Sequence, residues 1–200
     1  MPPYRLMYRL GVAPWERRDV AAAWREILDG PDAPAPGRAL DVGCGSGRDA
    51  VHLAGRGFEV TGVELVAEAL ERARQRARVE GVRVQWVQGD VGRLDRLSLR
   101  PGYTLLYDFG CIQGLDETAR AGAATGLTQL ASPGATLLLM AFRRSRRVLL
   151  PRGMDAPEIQ QLFADGWRLT GSRSVAQADM PPPVRRAQPT LHRLTRDPRP

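Results

Sequence analysis

Short apolar runs alternate along the chain with longer amphipathic segments. The apolar runs predict strands over Arg38–Val42, Phe58–Glu64, Val82–Gln88, Tyr103–Asp108, Ala135–Ala141, Trp167–Val175 and Thr190–Thr195. Helical periodicity predicts helices over Asp19–Leu28, Gly47–Gly55, Ala67–Glu80 and Asp116–Ala131, and a further helix from Asp155 to about Asp165. This alternation predicts an α/β fold, a three-layer sandwich around a mostly parallel seven-stranded sheet. No helix separates the last two strands, so we expect the last strand to be antiparallel.

The length of 200 residues suits one domain. We expect a single domain over residues 1–200, with an N-terminal lid and helix within 1–30 and a frayed tail at 197–200. No apolar run approaches the ~18 residues of a transmembrane helix. The N-terminus lacks the apolar stretch of a secretory signal. A cytoplasmic protein without a membrane partner is therefore expected.

The first predicted strand runs into a glycine-rich turn, Asp41–Arg48, with the sequence DVGCGSGR. Glycine has no Cβ and accepts positive φ, so backbone N–H groups in such a turn can approach a ligand closely. The dinucleotide fingerprint G-x-G-x-x-G places its third glycine three residues after the second. That position holds Arg48, and the pattern is D-x-G-x-G-x-G instead. The turn therefore predicts a nucleoside-type ligand other than NAD.

Two further acids end apolar strands. Glu64 follows the second strand, about 20 residues beyond the glycines, where an acid reaches the ribose hydroxyls of a bound nucleoside. Asp90 follows the third strand. Because ligands of open α/β sheets bind outside the carboxyl ends of the strands, Asp41, Glu64 and Asp90 should surround one crevice.

These motifs are similar to those of Rossmann-like methyltransferases that use S-adenosylmethionine (SAM). Within that class, Gly45–Ala54 and Gly57–Glu64 resemble the thiopurine, halide and tellurite-resistance group of small methyltransferases. Tyr8–Glu16 resembles the Pro-Trp-Asp/Glu segment that the group folds over its cofactor, and Asp108–Gln113 resembles its Asp-x-Gly-Cys-Phe-His loop. The similarity runs from about Tyr8 to about Trp167, and it implies the methyltransferase variant of the Rossmann fold.

The resemblance implies SAM as cofactor, with Glu64 at the ribose, Asp90 at the adenine amino group and Asp41 at the methionine end. The implied cofactor contacts are Trp15, Asp41, Gly43, Cys44, Gly45, Gly47, Arg48, Glu64, Leu65, Asp90, Val91, Asp108 and Gly110. The catalytic residue stays unassigned, with Gln113 and Cys111 as candidates. The implied substrate contacts are Trp15, Cys111, Gln113, Arg143 and Arg144.

The chain departs from the group on the substrate side. Arg17-Arg18-Asp19 stands where the group often continues with Gly and Pro, and Gln113 replaces a histidine. The two histidines, His52 and His192, are expected away from the crevice, so no general base is evident. A thiol or similar soft anion needs little help from a base, and we expect it as the acceptor.

Three alternatives stay open at this point. An O- or N-methyltransferase of specialised metabolism is one, with Asp116 or Glu117 as the first base to test. A protein that binds SAM without methylation, or that acts with a partner, is another. A third, nucleic-acid methylation, is disfavoured because the strand-four loop lacks the motifs of base methylation. No metal is expected, since a Mg²⁺ site would need clustered oxygen ligands.

The net charge of +7 does not by itself predict nucleic-acid binding. Every one of the 29 basic residues is arginine. The chain has neither lysine nor asparagine, as a GC-rich genome would produce. The run Arg143–Arg147 is the one basic patch after strand five, and it predicts either an anionic substrate at the pocket mouth or a solvated loop. The two cysteines, Cys44 and Cys111, are too few for a disulfide framework or a zinc site, and we expect both to be reduced.

Overall fold

One seven-stranded sheet organises the part of the chain that the computed structural model describes, which is residues 4–9, 22–143, 152–176 and 187–198. Its strands are β1 (Arg38–Val42), β2 (Glu59–Glu64), β3 (Val84–Gln88), β4 (Tyr103–Phe109), β5 (Ala131–Phe142), β6 (Trp167–Ser174) and β7 (Pro189–Arg196). The strand order is β3-β2-β1-β4-β5-β7-β6. Neighbouring strands are parallel from β3 to β5, and β7 is antiparallel to both β5 and β6. The predicted sheet is confirmed.

Helices cover both faces of this sheet. They are α1 (Tyr4–Arg9), α2 (Ala22–Asp29), α3 (Arg48–Gly55), α4 (Ala67–Val79), α5 (Glu117–Leu130) and α6 (Ala156–Leu162), with short 3-10 helices over Val91–Arg96 and Ile112–Gly114. The sequence pattern did not predict α1. In this helix the buried Tyr8 packs against Val66 and Ala69 at the start of α4, so tertiary contact supplies what the local pattern lacks.

Successive residues of the central strands point to opposite faces and meet different helices. On one face, Ala39 of β1 belongs to the apolar cluster that holds Trp24 of α2 and Leu53 of α3. On the other, Leu40 belongs to the cluster that holds Leu127 of α5 and Phe163 after α6. Parallel sheets need cover on both faces. The three-layer sandwich expected from the sequence is therefore confirmed.

The start of β5 differs from the prediction. A turn at Ser132-Pro133-Gly134 was expected to separate α5 from a strand beginning at Ala135, but β5 begins directly at Ala131. Ala131 pairs with Tyr103, and the register then shifts so that Thr136 pairs with Leu105. The turn residues form an irregularity inside the strand, because the pairing with β4 resumes after them.

The first residue of the tail predicted over 197–200 is hydrogen-bonded to the sheet. Asp197 donates its N–H to the Gly166 carbonyl at 2.9 Å, and its carboxylate accepts from Arg168 Nε at 2.8 Å. These bonds hold Asp197 to the start of β6. Residues 199–200 lie outside the described residues.

The entry to α3 yields a stability prediction. Gly47 has φ +76°, and a Cβ placed there would lie 2.5 Å from Trp86 Cη2 and 2.7 Å from Ala73 Cβ. Gly47→Ala therefore combines overpacking with a left-handed alanine. We expect the free energy of unfolding in urea to fall by about 2–4 kcal/mol.

Gly55→Ala at the other end of α3 is the matched control. A Cβ at Gly55 would have no atom within 4 Å, so this change should be neutral or stabilise by up to about 1 kcal/mol. Equal unfolding free energies for the two variants would contradict the packing argument.

Candidate active site

The carboxyl ends of β3, β2, β1 and β4 lie side by side and carry the polar residues that the sequence singled out. The strand order reverses between β1 and β4, which is where open α/β sheets form a ligand crevice. Gly43–Gly47 follows β1, Glu64 ends β2, Asp90 follows β3, and residues 110–113 follow β4. The structure thus brings the predicted acids and the glycine turn to one edge of the sheet.

The glycine turn is tied to its neighbours on both sides. Gly43 has φ +68°, and a Cβ there would lie 2.5 Å from Cys111 Sγ in the loop after β4. On the β2 side, the Gly45 N–H donates to Glu64 Oε2 at 3.0 Å. A side chain at position 43 would clash with Cys111, so the packing of this turn requires glycine there.

The Glu64 carboxylate is held in a fixed orientation at the mouth of the crevice. Oε2 accepts from Gly45 and Oε1 accepts from the Val66 N–H at 2.9 Å. The neighbouring Leu65 side chain is 50% exposed and offers an apolar surface beside this carboxylate.

Asp90 occupies the corresponding position after β3. Its Oδ1 accepts from the Gly92 N–H at 2.8 Å and caps the 3-10 helix over Val91–Arg96. The side chain is half-buried. Val91 beside it is 5% exposed and packs in the apolar core, so a ligand contact from Val91 would have to come from its backbone.

A buried polar cluster that the sequence did not predict lies beside Asp41. Asp41 is 2% exposed, and burial together with the nearby Asp49 carboxylate raises the pKa of Asp41 well above its usual value. Among the described residues, Asp41 Oδ2, Tyr107 Oη and Trp24 Nε1 have no hydrogen-bond partner. Tyr107 is the register partner of Asp41, and the Trp24 ring packs on it at 4.0 Å between centroids.

Arg48 and Asp49 begin α3 and form an ion pair above this cluster. Arg48 Nη2 lies 2.6 Å from Asp49 Oδ2, with the two side chains 12% and 8% exposed. The Arg48 guanidinium also lies 5.3 Å from the centroid of the Phe109 ring. Arg48, expected as a cofactor contact, is thus anchored at the helix entry by a carboxylate and an aromatic face.

Asp108 braces the loop after β4 from inside. It is fully buried, and its Oδ1 accepts from the Cys111 N–H at 2.8 Å and the Ile112 N–H at 3.3 Å. Burial raises the pKa of Asp108 to about 7, although these N–H donors act in the lowering direction. The side chain expected to contact the cofactor is therefore committed to its own loop.

Gln113 is likewise placed differently from its expected role of orienting the acceptor. It is 1% exposed, and its Oε1 accepts from the Phe142 N–H at 2.6 Å. The amide joins the β4 loop to the end of β5. This placement does not support direct contact between its amide oxygen and an acceptor, because that oxygen is buried and bonded.

Neither cysteine is set up as a nucleophile. Cys44 is buried and Cys111 half-buried, and both are free thiols. Burial, followed by nearby carboxylates, raises the pKa of each thiol well above its usual value. Since the thiolate is the reactive form, Cys111 is a poor catalytic candidate and instead fills the space beside Gly43.

The two histidines lie in α3 and in β7. His192 is in β7, 3% exposed, with Nδ1 2.9 Å from Ser172 Oγ. His52 lies in the middle of α3, and burial lowers its pKa. Neither residue lies in the loops that follow β1, β2, β3 and β4.

Parts of the predicted substrate side lie outside the described residues. Trp15, Arg144 and the rest of the Arg143–Arg147 patch after its first residue are among them. Arg143 itself is exposed, and its Nη1 donates to Gln188 Oε1 at 3.1 Å. The expected roles of Trp15 and Arg144 stay predictions.

Arg120 is a residue that sequence reasoning missed. It lies in α5, is 3% exposed, and donates to the carbonyl oxygens of Ile112 and Gln113. Among 29 arginines it carried no distinguishing signal. The sequence pattern places Arg120 inside the predicted helix Asp116–Ala131 and indicates no further role for it.

Similarity to known proteins agrees with this geometry. Residues 39–134 match the family model described as methyltransferase domain. The demethylmenaquinone methyltransferase of Deinococcus radiodurans is 32% identical over 166 residues, covering 76% of this chain and 65% of that protein. The ubiquinone biosynthesis O-methyltransferase of Pectobacterium carotovorum is 29% identical over 131 residues, covering 64% and 53%. The chain thus spans less than two thirds of each of these two relatives.

Solved structures show the same fold. One belongs to work on the conversion of a disulfide bond into a thioacetal group during echinomycin biosynthesis. It matches with a TM-score of 0.77 and 23% identity, covering 97% of this chain and 91% of the other. The N-methyltransferase NodS from Bradyrhizobium japonicum, in complex with S-adenosyl-L-homocysteine, has TM-score 0.67 and 19% identity over 86% and 81%. A TehB-like methyltransferase from Corynebacterium glutamicum has TM-score 0.63 and 21% identity over 88% and 95%.

Residues 39–134 therefore match a methyltransferase domain, and the chain has the fold of the SAM-dependent methyltransferases. The resemblance to this class is confirmed, and a TehB-like member of the class shares the fold. In the ranges that the structure describes, no helix is both long and apolar enough to cross a membrane.

The buried Asp108 gives a pH prediction. Its folded pKa of about 7 exceeds the unfolded value of about 3.9, so the folded state binds the extra proton between these values. The contribution of Asp108 to stability is therefore most favourable at low pH and falls as pH rises toward 7, at up to about 1.4 kcal/mol per pH unit.

Asp108→Asn removes this titration and keeps an oxygen for the loop N–H groups. The unfolding free energy of the wild type minus that of the variant should decrease from pH 4.5 to 7 and then level off. Urea unfolding at several pH values measures it. A difference that stays constant over this range would show that the carboxyl titrates normally.

Proposed function

We propose that this domain transfers the methyl group of SAM to a small-molecule acceptor, most favourably a thiol or a similar soft anion. Two properties of the crevice together support this proposal. The carboxylates of Glu64 and Asp90, each oriented by backbone N–H groups, lie at the carboxyl ends of β2 and β3 beside the glycine turn. Neither histidine lies in the loops that follow β1, β2, β3 and β4.

The residues present fit the cofactor. Glu64, oriented by the N–H groups of Gly45 and Val66 at the end of β2, would accept hydrogen bonds from the two ribose hydroxyls. Asp90 Oδ2 would accept from the adenine amino group, while Oδ1 accepts from the Gly92 N–H. The exposed Leu65 would cover one face of the adenine. At the methionine end, the turn at Gly43 and the partnerless Asp41 Oδ2 would favour an ammonium group.

The chemistry requires positioning more than proton transfer. Bound SAM supplies a methyl group already activated by its sulfonium, so displacement needs an in-line nucleophile and exclusion of water. The loop after β4 sets the wall of the crevice next to the glycine turn, through the contact between Cys111 and Gly43. Because hydrogen bonds hold this loop in place, it would fix the direction from which the acceptor approaches the methyl group.

A thiol acceptor agrees with the absence of a histidine from the loops at the strand ends in the described part of the chain. A thiol is partly ionised near neutral pH without help from the protein. Arg143 is exposed at the end of β5, where it would favour an anionic acceptor, and Arg144 follows it. The structural neighbour from echinomycin biosynthesis also acts on sulfur, by its description.

An O- or N-methyltransferase of specialised metabolism is the second candidate. Curated relatives include an O-methyltransferase, and an N-methyltransferase shares the fold. The carboxylates considered as bases for it are engaged elsewhere, because Asp116 caps α5 through the Ala119 N–H and Glu117 pairs with Arg152. This favours the acceptor that arrives ionised.

Glu64→Ala tests the cofactor assignment. Losing charge-assisted hydrogen bonds to the ribose should weaken binding of S-adenosylhomocysteine by about 1.5–3 kcal/mol in isothermal titration calorimetry. Glu71→Ala is the charge-matched control, because Glu71 pairs only with surface arginines of α4 in the described structure. Unchanged affinity in Glu64→Ala would overturn the assignment.

The acceptor class is tested with a series of thiols of different pKa. If the acceptor arrives ionised, the rate of methyl transfer should rise with pH and level off near the pKa of each thiol. Methyl transfer from labelled SAM measures this. A bell-shaped profile identical for all thiols would indicate a protein base, and much faster methylation of a phenol or carboxylate would favour the O-methyltransferase.

A further inference from the structure

The loop after β4, residues 108–114, is held at its base by buried polar groups. Asp108 accepts from the Cys111 and Ile112 N–H groups. Gln113 Oε1 accepts from Phe142 N–H at the end of β5. These bonds satisfy one side of the loop and leave the carbonyl oxygens of Ile112 and Gln113 pointing toward α5.

Arg120 meets those two carbonyls from the opposite side. Its Nε donates to Ile112 O at 3.3 Å, and its Nη2 donates to Gln113 O. The planar guanidinium holds its donors in a rigid fork, which suits two carbonyls of adjacent residues. A lysine has a single ammonium and would not reproduce this geometry.

The charge of Arg120 is balanced from α6. Its Nη1 lies 3.2 Å from Glu158 Oε1, and Arg152 Nη2 lies 2.9 Å from the same oxygen. The Arg120 side chain is 4% exposed. A buried guanidinium is costly to desolvate unless its donors are satisfied, and here it is satisfied by the loop and by Glu158 together.

We infer that Arg120 is a positioning residue for the cofactor crevice. It fixes the loop whose Cys111 contacts the glycine turn at Gly43, and thereby sets the distance between that turn and the wall after β4. The inference rests on the crevice proposed above as the SAM site. Arg120 acts through the loop backbone and contacts no ligand itself.

Arg120→Met removes the donors and keeps most of the apolar stem. Amide hydrogen exchange followed by mass spectrometry should show faster exchange in peptides that cover 108–114 and Phe142. The dissociation constant of S-adenosylhomocysteine should rise about tenfold, which is about 1.4 kcal/mol. The milder Arg120→Lys should bind with intermediate affinity and serves as the test if the methionine variant does not fold.

Thr128→Val on the same helix is the matched control. It removes the hydrogen bond that Thr128 Oγ1 accepts from Trp167 Nε1 at 2.9 Å, away from the loop. It should lower the melting temperature while leaving loop exchange and ligand affinity within about twofold of wild type. If Arg120→Met and Arg120→Lys also keep wild-type affinity and loop exchange, Arg120 is structural only and the inference is overturned.

The two readouts separate this inference from the proposed site. Hydrogen exchange needs no ligand, so it reports on the loop even if S-adenosylhomocysteine does not bind the wild type. Absence of binding to the wild type would overturn the cofactor crevice and the positioning role in it. Normal binding with an unaltered loop in the Arg120 variants would overturn the positioning role alone.

Discussion

The rest of the crevice depends on close packing at the glycine turn, where side chains of other elements lie directly against the turn backbone. Cys111 occupies the space that a side chain at Gly43 would need, and Trp86 with Ala73 occupies the space at Gly47. Both positions have positive φ. Because these neighbours come from β3, α4 and the loop after β4, the turn packs against three elements at the carboxyl ends of the strands.

Buried polar groups then fix the orientation of what surrounds the turn. Glu64 holds two backbone N–H groups, Asp108 holds two more, and Arg120 holds two carbonyls. Asp108 and Arg120 are buried, in a region of low dielectric where an unpaired group would be costly. The same bonds that stabilise the loops therefore also determine how these side chains are oriented at the crevice.

The electrostatics of the crevice limits the chemistry it performs. Burial raises the pKa of Asp41, Cys44 and Cys111, so the thiols stay protonated near neutral pH. The histidines lie in α3 and β7. With no described group suited to removing a proton from the acceptor, the arrangement favours a nucleophile that is already ionised.

The sequence by itself determined the sheet, the turn and the acids at the strand ends, because each depends on local spacing. Apolar runs of strand length, glycines at alternate positions and an acid after each strand can be read without knowledge of distant contacts. It did not determine how Asp108 and Gln113 are used, or that Arg120 braces their loop. Those roles depend on which backbone groups lie within hydrogen-bond distance after β4, α5 and β5 have packed, and only the tertiary structure decides that.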